Sequence, residues 1–171
     1  MKKQASIQKK VYWDACVFLE MIEEEEERRS GIEAILAEAE KGKILIHTSI
    51  LTIAEVTYAK SEKNQQALDQ DIEERINALW LPSSLFVLVD VFRGIVIDAQ
   101  KMAREALKNR TKIKPMDAIH LATAVRIGCA EFHTFDDFKG HQEKLSKVCG
   151  LKIGPPVMRG RIPFGQSPKK R

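Results

Sequence analysis

Cysteine is scarce in this 171-residue chain: only Cys16, Cys129 and Cys149 occur. An odd number without close paired spacing excludes a disulfide framework and a zinc ribbon, so any metal is expected on oxygen rather than sulfur. Aromatic residues make up 6% and are not interleaved with basic ones, which leaves recognition of nucleic-acid bases by stacking unsupported. Long hydrophobic runs are missing too. Leu85 to Val89 is far too short to span a bilayer, and the Lys-rich amino terminus leads into no signal-peptide core, so a soluble cytoplasmic protein without membrane contact is expected. No internal repeat is present. Acidic residues are absent from residues 144 to 171, which hold eight Lys or Arg, whereas the remainder has 20 basic against 24 acidic residues. The positive net charge of +4 therefore belongs to the tail.

The chain has the length of one domain, and 44% of its residues are hydrophobic, enough for a substantial core. Val11-Tyr12-Trp13, Ile44-Leu45-Ile46, Leu85 to Val89 and Phe132 to Phe135 read as short buried strands, with Leu151-Lys152-Ile153 as a last edge strand. Between them lie helical patterns. Cys16 to Leu19 opens a first helix, and Glu23 to Glu27 reads as a solvated helical face or loop, since adjacent like charges repel and point in different directions. Ser30-Gly31-Ile32-Glu33 fits a capping box for a helix ending near Gly42. Thr48 or Ser49 caps a helix around Glu55, and Leu68, Ile72, Ile76 and Leu79 predict one long polar helix over 64–80. A helix follows over 95–109, and another opens with Pro115 at its first position and stops at Gly128.

This alternation predicts an α/β fold with a mainly parallel central sheet flanked by helices on both faces, spanning residues 1–153. Residues 154–171, with Pro155, Pro156, Pro163 and Lys169-Lys170-Arg171, form a basic, Pro- and Gly-containing tail. Ligands of such sheets gather at the carboxyl ends of the strands. Asp14 and Asp136 fall at such ends, while Glu55 and Asp117 sit in or at the start of helices. Carboxylates crowded into one cleft raise one another's pKa unless a cation neutralises them, and a set of hard oxygens suits Mg²⁺ or Mn²⁺. Four such acids in this order suggest a metal-dependent nuclease.

Asp14 after its strand, the segment Thr48 to Val56 containing Glu55, the segment Met116 to Ala124 beginning with Met116-Asp117-Ala118, and Thr134-Phe135-Asp136 resemble the successive motifs of PIN-domain proteins. They are especially similar to the toxin ribonucleases of prokaryotic toxin–antitoxin pairs. The resemblance covers about residues 11 to 153. It implies a Mg²⁺- or Mn²⁺-dependent endoribonuclease with Asp14, Glu55, Asp117 and Asp136 as catalytic and metal-binding acids, Thr134 supporting them, an antitoxin partner and a homodimer. Cys16 departs from the Ser or Thr that the family often has two residues after the first Asp; it is expected beside the site as a weaker hydrogen-bond donor.

Each acid has a plainer reading. Asp117 suits a helix amino terminus whatever its function, and Glu55 could face solvent. Asp137 rivals Asp136, with one of the two expected to cap a helix. His120 is read as a packed, hydrogen-bonded core residue rather than a general base, and Asp98 as part of a surface ion pair with its neighbour Lys101. Phosphate contacts dominate nucleic-acid affinity, so Lys112, Lys114, Arg126, Lys139 and the basic tail are candidates to hold RNA. The alternatives are a catalytically weak binding module of the same fold and a related-fold DNA nuclease. A phosphatase of the haloacid-dehalogenase type needs a second Asp where Cys16 stands.

Overall fold

A computed structural model describes residues 8–23 and 26–157. Five strands and eight helices alternate in the order β1 (Lys9–Trp13), α1 (Ala15–Glu23), α2 (Glu26–Glu40), β2 (Ile44–Ser49), α3 (Thr52–Glu55), α4 (Lys60–Gln65), α5 (Gln70–Ala78), β3 (Phe86–Val89), α6 (Arg93–Lys108), α7 (Pro115–Arg126), β4 (Glu131–His133), α8 (Gln142–Cys149) and β5 (Lys152–Gly154). All strand pairs are parallel, in the spatial order β3-β2-β1-β4-β5. The chain therefore builds outward from the central β1 to one edge, then returns to lay β4 on its other side. The crevice between the carboxyl ends of β1 and β4 is the switch point at which such sheets collect ligands.

A parallel sheet covered on both faces needs strands that are apolar on both sides, and β1 shows why. Val11 and Trp13 point into one core with Phe18, Ile22, Ile32, Ile35 and Ile76 from α1, α2 and α5. Tyr12 points the other way, into a core with Leu121, Ala124, Phe132 and Leu145 from α7, β4 and α8. No helix among the described residues is long and apolar enough to cross a membrane.

Several expected boundaries moved. Helix α2 begins at Glu26, so Ser30 lies inside it and caps nothing; Glu26 and Glu27 in the first turn suit the positive end of the helix dipole. Gly31 has a packing reason instead, because a Cβ there would stand 2.1 Å from the Pro156 carbonyl oxygen. Glu24 and Glu25 of the Glu run lie outside the described residues, as do residues 158–171 of the tail. The long helix over 64–80 is two helices. Gln66 turns left-handed (φ 52°), Glu62 accepts hydrogen bonds from the Ala59 and Asp69 N–H groups (2.9 and 2.8 Å), and Asp69 caps α5. Leu68 falls in this break and is exposed. Strand β4 ends at His133, two residues short of Phe135, and α3 is a single turn starting at Thr52, not a helix capped by Thr48 or Ser49.

Candidate active site

Asp14 follows the last residue of β1, and its N–H still pairs with the His133 carbonyl of β4 (3.0 Å), so the sheet itself fixes its backbone. Its carboxylate is clamped. Oδ1 accepts from the Ala15 N–H (2.9 Å), and Oδ2 accepts from the Thr134 hydroxyl (2.9 Å) and the Cys16 thiol (3.4 Å). Thr134, fully buried just past β4, also accepts from the Asp136 N–H (3.1 Å). One hydroxyl thus ties the acids of two strand ends together. Burial and the nearby Asp14 charge push the Cys16 thiol up to about 12, so it keeps its proton and acts as a donor beside Asp14.

The Asp136–Asp137 pair divides its work. Asp137 accepts from the Lys139 N–H (2.8 Å) and caps a short 3₁₀ turn over Phe138–Gly140. Asp136 accepts from the Phe138 N–H (2.6 Å) and lines a cleft. Phe138 and Lys139 both adopt positive φ (50° and 56°), a conformation that costs non-glycine residues energy and marks this loop as held in place by its surroundings.

Asp117 occupies the first turn of α7, whose start at Lys114-Pro115 matches the sequence. Its half-buried carboxylate accepts no hydrogen bond among the described residues. Burial raises its pKa, the neighbouring Asp14 charge raises it further, Asp136 adds to this, and Lys114 offsets only part. Glu55 closes the one-turn α3 and reaches the group through His120, whose Nε2 lies 2.5 Å from Glu55 Oε2. The His120 ring is fully buried. Burial alone would lower its pKa, but the hydrogen bond with Glu55 and the charges of Asp14, Glu55 and Asp117 outweigh it and leave the pKa raised. All four acids therefore lie at the carboxyl end of the sheet, near enough to act on shared neighbours.

Three acids in electrostatic contact, one of them accepting no hydrogen bond among the described residues, present hard oxygens whose repulsion a divalent cation would relieve. Among the described residues no group of three or more His, Cys, Asp or Glu side chains is drawn together closely enough to hold an ion in common. An ion held here would therefore rest on one or two carboxylates and on water. A closed cage of protein ligands is not required.

Asp117 and Asp136 share the wall of a cavity of about 790 Å³ with Lys112, Lys114 and Lys139. Three of the four cations expected to hold RNA thus stand beside the acids. Arg126 does not line this cavity. It ends α7, nine residues and about 13 Å of helix rise away from Asp117, and its guanidinium bonds Asp98 (2.5 and 2.9 Å) over the ring of Phe92. Asp98 is accordingly paired with Arg126 rather than Lys101. Arg110 and His141 also line the cavity and went unnoticed in the sequence; the run Lys108-Asn109-Arg110-Thr111-Lys112 between two helices was the available signal. Tyr12, which holds His120, was hidden inside an apolar strand.

The family model for the PIN domain matches residues 11–139. No curated protein matches the chain. Among solved structures, the VapBC2 complex of Rickettsia felis bound to a promoter DNA fragment superposes with a TM-score of 0.61 at 10% identity, covering 84% of this chain and 96% of that one. FitAcB from Neisseria gonorrhoeae gives 0.59 at 15% identity, covering 85% and 97%. VapC20 from Mycobacterium tuberculosis, described as a sarcin-ricin loop cleaving toxin, gives 0.54 at 14% identity, covering 76% and 93%.

Proposed function

We propose that this chain, which belongs to the PIN-domain family, is a Mg²⁺- or Mn²⁺-dependent endoribonuclease and the toxin of a toxin–antitoxin pair. One observation carries the reading: the cleft that holds Asp117 and Asp136 also presents Lys112, Lys114 and Lys139. Acids alone would repel a polyanion, and cations alone would only bind one. Side by side they suit a phosphodiester that must be both held and hydrolysed.

In this reading Lys112, Lys114 and Lys139 hold backbone phosphates on either side of the reacting one. Asp14, Asp117, Asp136 and Glu55 would face the reacting phosphate, with one or two of these carboxylates holding the cation directly and the others acting on its waters. A bound cation would supply Lewis acidity, making hydroxide available near neutral pH and offsetting charge that builds at phosphorus. Thr134 and Cys16 keep Asp14 Oδ2 from turning away. The toxin role, with an antitoxin as partner, is supported by the likeness of fold to VapC20 and to the VapBC2 complex; a second copy of the chain as partner belongs to the same reading.

Purified protein incubated with RNA should cleave it in Mg²⁺ or Mn²⁺ and stop with EDTA or with Asp14→Asn. Intact RNA under every metal condition, or a variant as active as the wild type, removes the enzyme. Growth arrest on expression, relieved by Asp14→Asn, tests the toxin role separately.

A further inference from the structure

We propose that His120 is a positioning residue that holds Glu55 toward Asp14 and Asp117, a role that rests on the nuclease reading above. The charges of both aspartates also act on the His120 ring. Glu55 is poorly placed to hold itself. It is the last residue of a one-turn helix, its side chain has three rotatable bonds, and that side chain is 28% exposed. His120 is the opposite: it sits on α7, three residues beyond Asp117 and so on the same side of that helix, with a ring fully removed from solvent.

Both ring nitrogens are engaged. Nδ1 lies 2.7 Å from Tyr12 Oη, and that oxygen accepts the Ser49 backbone N–H (2.8 Å). Burial drives the Tyr12 phenol up in pKa, so it stays a neutral hydroxyl. On the other side Nε2 meets Glu55 Oε2 at 2.5 Å. A carboxylate can only accept, so Nε2 carries the proton whichever form the ring takes. The chain Ser49, Tyr12, His120, Glu55 runs from the end of β2 through β1 and α7 to the end of α3. It transfers the rigidity of the sheet to a side chain that has none of its own. Glu55 Oε1 enters no hydrogen bond among the described residues, so the lock spends one oxygen and leaves the other for a cation.

The test is Mn²⁺ binding to the full chain, read by the electron paramagnetic resonance of free Mn²⁺, with melting temperatures measured alongside. His120→Leu and Glu55→Gln should each weaken binding about tenfold or more, the range seen when groups that orient a metal ligand are lost. The double variant should be no weaker than Glu55→Gln alone, and His120→Gln, whose amide N–H falls near Nε2, should recover most of the affinity. A folded His120→Leu that binds like the wild type, or losses that multiply in the double variant, overturns the proposal. If His120→Leu does not fold, Tyr12→Phe decides: weaker binding supports the lock and unchanged binding overturns it. If the wild type takes up no Mn²⁺, the nuclease reading fails separately, and the ring is read by nuclear magnetic resonance instead. A slowly exchanging Nε2–H proton that shifts in Glu55→Gln sustains the lock, whereas one in fast exchange with water overturns it.

Discussion

Thr134→Val tests whether one hydroxyl holds the site together. The side chain is fully buried, and valine keeps its shape while deleting the oxygen, so cavity formation contributes little. Three contacts disappear: donation to Asp14 Oδ2 at 2.9 Å, acceptance from the Asp136 N–H at 3.1 Å, and a contact with the Cys16 thiol at 3.2 Å, which adds little because a thiol is a weak hydrogen-bonding group. A hydrogen bond to a charged group contributes about 1.5–3 kcal/mol and a neutral one about 1 kcal/mol. The charged bond belongs at the low end here, because Asp14 is only half-buried and keeps the Ala15 N–H and the Cys16 thiol. The sum is about 2–3 kcal/mol, and at about 2–4 °C per kcal/mol for a chain of this size the melting temperature should fall about 4–12 °C. Thr134→Ser restores the oxygen and should recover most of this. Urea and thermal melts of the three proteins in EDTA measure the effect without metal. A valine variant within about 0.5 kcal/mol of the wild type, the range of an ordinary surface change, or a serine variant as damaged as the valine one, would refute the assignment of the hydroxyl.

Asp117→Asn should make the protein more stable at pH 7 while abolishing cleavage. Burial and the charges of Asp14 and Asp136 raise the native pKa of Asp117, so the native state binds this proton more tightly than the unfolded chain does. Stability contributed by this group is therefore lost as pH rises from the ordinary carboxylate value of about 3.9 to the raised native value, and stays lost above it. Melting curves in EDTA should show the two proteins alike near pH 3 and diverging above; an asparagine variant less stable at pH 7 contradicts the repulsion. Replacing Lys112, Lys114 and Lys139 together with alanine should reduce the salt dependence of single-stranded RNA binding by about two in log–log slope, at about 0.7 per phosphate contact, whereas Arg126→Ala should leave the slope unchanged. An equal effect of Arg126→Ala would move the RNA path to the far end of α7. With its thiol pushed to about 12, Cys16 should react with iodoacetamide at pH 8 at least about a hundredfold more slowly in native than in unfolded protein; rapid native labelling mapped by mass spectrometry contradicts its enclosure beside Asp14.

What the sequence disclosed depended on how local the cause was. The start of α7 at Pro115 and its stop before Gly128 are written in adjacent residues, and the apolar strands β1 to β3 need only their own side chains to declare themselves. The capping box at Ser30 was equally local and lost, because a helix already running from Glu26 gave its N–H groups carbonyl partners. Contacts beyond neighbouring residues decided the rest. Glu62 bonds Asp69 and breaks a helix that periodicity alone would continue, and Glu55 joins the site only through a histidine 65 residues away. Some of this was readable by arithmetic. Helix rise alone sets Arg126 about 13 Å along α7 from Asp117, outside the lining of the cavity that Asp117 shares with the lysines. The choice between Asp136 and Asp137 shows the remaining difficulty, since both belong to one turn and only the direction of each side chain separates them. That direction is set by the Thr134 hydroxyl on the Asp136 N–H and by the left-handed pair Phe138 and Lys139. Across that pair Asp136 and Lys139 come to line the same opening, an acid and a cation three residues apart.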